Sequence, residues 1–195
     1  ARLKLLETQL EPHMLFNTLA NLRVLVAHDP ARAQQMLDHL IAYLRATLGA
    51  SRSTEHPLQA EFDRLRDYLA LMAVRMGPRL RYTLDLPDDL ADQPVPTLLL
   101  QPLVENSITH GLESQVEGGH ITVQARREGA RLVLTVTDSG VGLDMPTTHA
   151  GGGFGLAQVR ERLATAYGTQ GTIELIAGSV GGTCAIVIFP LKNEP

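Results

Sequence analysis

The spacing of the apolar residues changes once along this chain, and that change limits what it can fold into. Up to Gly77, Leu and Met recur at steps of three and four; from Leu80, apolar and polar residues alternate in short runs. The first pattern belongs to helices with one apolar face, the second to strands with one covered face. A chain of 195 residues is long enough to hold both in succession. The expected division is residues 1–77 and residues 78–195.

In the first part, Leu3, Leu6 and Leu10 already follow helical spacing, so an upstream segment continuing that helix is expected. Leu15, Leu19, Leu22 and Val26 form one stripe; Met36, Leu37, Leu40, Ile41, Leu44 and Leu48 form a second. Asp29-Pro30 between them is a helix start, with Asp as cap and Pro in the first turn. After a polar break from Gly49 to Thr54, Leu58, Phe62, Leu65, Tyr68 or Leu69, and Met72 predict another helix, ended by Gly77-Pro78. The stripes suit a helical hairpin that a second copy of the chain completes into a four-helix bundle.

The second part predicts strands at Leu80–Leu86, Ile121–Val123, Leu132–Val136, Ile173–Leu175 and Ala185–Ile188. Helices are expected from Pro96 to His110 and from Phe154 to Tyr167, the latter stopped by Gly168. The class is α+β, a sandwich with helices covering one side of a sheet.

Composition removes several functions. Seventeen basic against 21 acidic residues leave a net charge of −4, unsuited to nucleic acid. Aromatic residues make up 4% with no Trp, too few for a stacking platform. The single cysteine, Cys184, excludes an intrachain disulfide framework. No apolar run approaches the roughly 18 residues of a membrane span. The only lysines are Lys4 and Lys192, so neither a P-loop lysine nor a core-strand kinase lysine is present.

Three stretches carry chemistry. In Leu100–Gly111, Asn106 and His110 stand four residues apart and share one face if the segment is an α-helix, with Glu105 one step round. Asp138-Ser139-Gly140-Val141-Gly142 follows an apolar strand: the Asp can accept from an exocyclic amine, and Gly140 and Gly142 let backbone approach a ligand. Gly151-Gly152-Gly153-Phe154-Gly155-Leu156 precedes a helix, whose first N–H groups can hold an anion without lysine.

In that order, these stretches resemble the N box and two glycine boxes of the GHKL (Bergerat) ATP-binding fold. The resemblance implies ATP as substrate and Mg²⁺ as cofactor. It makes Asn106 the Mg²⁺ ligand, Asp138 the acceptor for the adenine amine, and His110 part of the nucleotide site. Gly140 and Gly142 would lie under the base; Gly153, Gly155 and Leu156 would shape the phosphate cradle. Residues Leu143 to Ala150 would form a short lid, and Glu105 would act as a base or organise water.

Gln9-Leu10-Glu11-Pro12-His13-Met14-Leu15-Phe16-Asn17 resembles the phosphoacceptor segment of LytS/YehU-type sensor histidine kinases. The family implies autophosphorylation of His13 from ATP, then transfer to an Asp of a response-regulator receiver, often one with a LytTR output. It implies a homodimer and a cytoplasmic position, joined to the membrane only through an upstream sensor region. Asn17 would position water or the receiver. Gln9, His13 and Asn17 lie along one helical line, and Pro12 favours a kink that frees the imidazole. An ordinary imidazole, with pKa near ~6.5, is about three-quarters neutral at pH 7 and already a nucleophile. Met14 stands where the family favours Phe, and Thr109 where it often has Lys. The competing readings are an ATP-binding interaction module and a GHKL ATPase, neither of which phosphorylates histidine.

Overall fold

A computed structural model describes residues 12–50, 53–142, 152–179 and 181–192. The expected helix over residues 1–11 and the lid from Leu143 to Ala150 lie outside the described residues, as do the side chains of Pro12 and His13.

Helix α1 (Pro12–His28) and helix α2 (Pro30–Ala50) are joined through Asp29 and pack against each other. Asp29 caps α2 as its sequence predicts: its carboxylate accepts from the Arg32 amide at 3.2 Å. Strand β1 (Glu55–Pro57) leads into helix α3 (Leu58–Met76). Arg32 of α2 donates through Nε to the Val74 carbonyl at 3.1 Å, while Tyr43 meets Tyr68 with ring centroids 5.6 Å apart. Residue numbers therefore rise on α2 as they fall on α3, and the two helices run antiparallel.

The buried line of α2 is Ala33, Met36, Leu40, Tyr43 and Thr47, a strict three-four repeat. Leu37, Ile41 and Leu48 of the expected stripe are 42%, 40% and 46% exposed. On α1, Met14 and Thr18 are buried, whereas Phe16, Leu19 and Val26 are 71%, 46% and 60% exposed. The apolar stripes are wider than the face this chain covers, and their remainder forms an outer apolar surface.

Helix α3 is the most enclosed element. Leu58, Phe62, Leu65 and Leu69 are fully buried, each worth about 1.5–3 kcal/mol of burial. It packs on α2 on one side and on strand β2 (Leu80–Asp85) on the other. One continuous apolar cluster therefore runs from Met14 and Met36 through α3 into the sheet.

That sheet holds β2, β4 (Gly119–Glu128), β5 (Arg131–Asp138), β7 (Thr183–Pro190) and β6 (Thr172–Ala177), in the order β2-β4-β5-β7-β6. Only β2–β4 is parallel. The β4 residues Ile121, Val123 and Ala125 alternate with more exposed ones, so one face is covered. Helices α3 and α5 (Gly152–Tyr167) and the turn that follows α4 (Gln101–Asn106) lie against the sheet, as the α+β reading expects.

The helix expected from Pro96 begins five residues late. Pro94–Pro96 is instead strand β3, paired with β1, and Leu98 adopts φ 60. A left-handed non-glycine residue costs roughly 1–2 kcal/mol and stops a helix from passing through it. The surroundings hold it there. Thr97 donates through its amide to Thr54 O at 3.2 Å and through Oγ1 to Ser53 O at 2.9 Å, and its own carbonyl accepts from Arg162. Two residues after Leu98, the Leu100 amide donates to buried Glu61 Oε1 at 2.8 Å.

Candidate active site

Asp138 ends the buried run of β5 and is 4% exposed. Its Oδ2 accepts from Ser107 Oγ at 2.9 Å, and its Oδ1 accepts from the Gly140 amide at 2.9 Å. The glycines around it allow backbone to meet backbone. A Cβ on Gly140 would lie 2.3 Å from the Gly111 carbonyl oxygen. Gly182, at φ +77 in the β6–β7 turn, would place a Cβ 1.9 Å from the Asp138 carbonyl oxygen. Gly142 also has positive φ, at +82.

Helix α4 does not continue as an α-helix. From Ser107 to Leu112 it widens into a π-helical turn, closed by the Glu113 amide on Ile108 O at 2.8 Å, a five-residue step. The α-helical argument that put Asn106 and His110 on one face therefore does not apply to this span. Wide turns of this kind are frequent at functional sites. Here the turn carries Ser107 to Asp138 and Thr109 towards α1, with His110 half-buried on it. Asn106, half-buried, lies against the start of α5: a Cβ on Gly155 would sit 2.7 Å from Asn106 Nδ2. Helix α5 opens at Gly152, earlier than expected, so Gly153, Gly155 and Leu156 belong to its first turns and not to a loop.

The structure thus brings Asn106, Asp138, Gly140 and Gly155 into one connected neighbourhood. It also places the segment after His13 beside that neighbourhood. Asn17 and Met14 of α1 share a pocket with Ile108 and Thr109 of the π turn and with Tyr68, Met72, Arg75 and Glu113. Arg75 and Glu113 form an ion pair on the wall of this pocket. His13 stands one helical turn before Asn17 on the α1 backbone. Pro12 is the first helical residue described, so the limb before any kink lies outside the described residues.

Glu105 is held both from its own helix and from α2. Its Oε1 accepts from Tyr43 Oη at 3.2 Å and from Gln101 Nε2 at 3.0 Å, and Gln101 Nε2 also donates to Tyr43 Oη at 3.1 Å. Burial first, then the Glu105 charge, keeps the Tyr43 phenol far above its ordinary range, so it remains a donor. Tyr43, Ser107 and Gly182 belong to the site although no sequence motif marks them. The one available signal for Tyr43 was a polar atom on the buried line of α2; Ser107 lay in view beside Asn106.

A profile described as Histidine kinase-, DNA gyrase B-, and HSP90-like ATPase matches residues 91–193. The chain belongs to this ATPase family. A second profile, Histidine kinase, matches residues 1–80 of this family member. Sensor histidine kinase BtsS of Escherichia coli (strain K12) is 35% identical over 195 residues, covering 100% of this chain and 34% of the relative. Sensor histidine kinase YesM of Bacillus subtilis (strain 168) is 31% identical over 195 residues, covering 98% and 34%. Sensor protein LytS of Enterococcus faecalis is 28% identical over 204 residues, covering 100% and 35%. The chain therefore spans 34% to 35% of the length of these curated relatives. Among solved structures, the histidine kinase domain of the Erythrobacter litoralis EL346 blue-light activated histidine kinase matches with TM-score 0.55 and 16% identity, covering 94% of this chain and 90% of that one. The catalytic domain of histidine kinase ThkA matches with TM-score 0.53 and 17% identity, covering 72% and 98%. These two likenesses are of fold.

Proposed function

We propose that this chain is the catalytic core of a sensor histidine kinase, transferring the γ-phosphoryl group of ATP to His13 and from there to an Asp of a response-regulator receiver. The observation that carries the reading is the pocket in which Asn17 of α1 meets Ile108 and Thr109 of the π turn. It sets the phosphoacceptor helix against the segment that follows Asn106.

The site suits an adenine nucleotide. Each Asp138 oxygen accepts one protein hydrogen bond and retains a second lone pair, so the carboxylate can accept from the adenine amine. The close packing at Gly140 leaves backbone at its floor. Asn106 offers an amide oxygen of the kind that Mg²⁺ selects, beside a glycine where any side chain would collide. When bound, Mg²⁺ neutralises charge on the transferring phosphates. Lys192 is paired with Glu55, so main-chain amides at the start of α5 supply the remaining positive potential.

In the transfer, one imidazole nitrogen of His13 gives its lone pair to the γ-phosphorus, and the bond to the bridging oxygen breaks with its electrons on ADP. The proton on the other ring nitrogen then leaves for a base. We assign Glu105 as that base or as the group that organises its water. Asn17 is assigned to water or receiver positioning, and His110, Gly142, Gly153 and Leu156 to the nucleotide cradle. The phosphoryl group next moves from nitrogen to a receiver carboxylate, regenerating His13. By this reading residues 1–77 dimerise and carry the phosphoacceptor, residues 78–195 bind ATP, and the whole lies on the cytoplasmic side of a membrane sensor.

Incubation with γ-labelled ATP tests it. The expected product is acid-labile, base-stable protein label that disappears in His13→Ala. Steady phosphate release with no labelled protein would favour the ATPase reading instead.

A further inference from the structure

We infer that Tyr43, on the second hairpin helix, is a positioning residue for Glu105, so that the hairpin itself sets the proton acceptor of the nucleotide domain. The inference rests on the assignment of Glu105 just given.

Tyr43 is fully buried, and its ring packs against Tyr68. Phe would fill that place equally well, and a buried hydroxyl costs stability unless it is bonded. The hydroxyl is bonded in one specific way. It accepts from Gln101 Nε2 at 3.1 Å and donates to Glu105 Oε1 at 3.2 Å, while Gln101 Nε2 donates to the same Oε1 at 3.0 Å. The triangle is consistent in direction, since the Gln101 amide has two protons and the phenol has one. Its two donors address a single carboxylate oxygen, which fixes the plane of the carboxylate beside Asn106.

Gln101 and Glu105 lie on the same helix, four residues apart, and their contact would exist without the hairpin. Tyr43 is the part that comes from elsewhere, 58 positions from Gln101 and 62 from Glu105. Arg64 of α3 is a buried electrostatic neighbour of this group. It is 2% exposed, and its Nε, Nη1 and Nη2 make no hydrogen bond among the described residues. Its charge faces Tyr43, Glu61 and Glu105, so it attracts the carboxylate without gripping it. The phenol and the amide both aim at Oε1. A shift or rotation of α2 would carry the hydroxyl away and release the carboxylate from this setting.

The test uses the 195-residue chain and single-turnover phosphorylation by γ-labelled ATP over a range of ATP concentrations. Tyr43→Phe is expected to lower the maximal rate about tenfold while leaving the ATP concentration for half-maximal rate within about twofold. Glu105→Gln should lower it about a hundredfold. The double variant should be no slower than Glu105→Gln alone, because the hydroxyl acts only through the carboxylate. A merely structural hydroxyl would slow both backgrounds by the same factor, and that result would overturn the inference. So would an unchanged maximal rate in Tyr43→Phe with Glu105→Gln slow; the assignment of Glu105 would then stand. A wild-type rate in Glu105→Gln would remove the assignment and the inference together.

Discussion

Ser107 donates its hydroxyl to Asp138 across 2.9 Å and so ties the π turn after α4 to the end of β5. Both residues are buried, so the bond orients the carboxylate before any ligand arrives. Ser107→Ala removes one donor to a buried charge, a loss of about 1.5–3 kcal/mol in orientation and stability. The expected outcome is an ATP dissociation constant raised at least tenfold, with the fold retained. Calorimetric titration checks it; unchanged affinity would separate Asp138 from the base.

The β6–β7 turn is predicted to tolerate nothing larger than hydrogen at position 182. Gly182→Ala combines positive φ with a contact of 1.9 Å to main chain. Its cost should exceed about 3 kcal/mol in urea unfolding. Gly129→Ala is the control, because it shares a positive φ of +60 but meets nothing within 4 Å. Its cost should stay near about 1 kcal/mol. Equal losses at the two positions would deny that the collision matters.

Leu37 and Ile41 lie on the outer apolar surface of α2, which we assign to a second copy of the chain. Leu37→Glu with Ile41→Glu should weaken self-association more than tenfold, or about 1.4 kcal/mol. Sedimentation reads this directly, and thermal unfolding of the domain should change little. A dimer that survives both charges uses another surface.

Asp67 supplies a pH test. Burial first, and then neighbouring Asp63, raise its carboxyl above the ordinary range, with His39 and Arg66 opposing. A group whose folded pKa is raised binds its proton more tightly in the native state. Its contribution is therefore fully present below the unfolded value and is lost as pH rises through the folded one. Asp67→Asn should accordingly raise the melting temperature at pH 7, and the advantage should shrink towards pH 4. A gain that grows on acidification would contradict the cause given.

Much of this was legible before any coordinates. Asp29-Pro30 marked the hairpin turn because a carboxylate cap and a missing amide suit a helix start. The short apolar run Leu132–Val136 marked β5, and all five of its residues are buried, as a strand covered on both faces requires. Asp138 was readable from the Asp-x-Gly-x-Gly pattern that follows this strand, an acceptor beside glycines that let backbone approach a ligand. The rest depends on tertiary context. The strain at Leu98 is held through its neighbours Thr97 and Leu100 by Ser53, Arg162 and Glu61, all distant in sequence. The π turn shows only in the hydrogen bonding, where the Glu113 amide reaches back five residues to Ile108 O. Tyr43 stood outside the expected stripe of α2, and periodicity in any case reports which face is buried and not where a hydroxyl points.

Localising the phosphoryl group tests the central claim most directly. The chain is incubated with Mg²⁺ and ATP, kept at neutral to alkaline pH, digested and read by tandem mass spectrometry. The account predicts a phosphoryl group on the imidazole of His13. A chain that binds ATP yet carries the group on another residue, or on none, contradicts it.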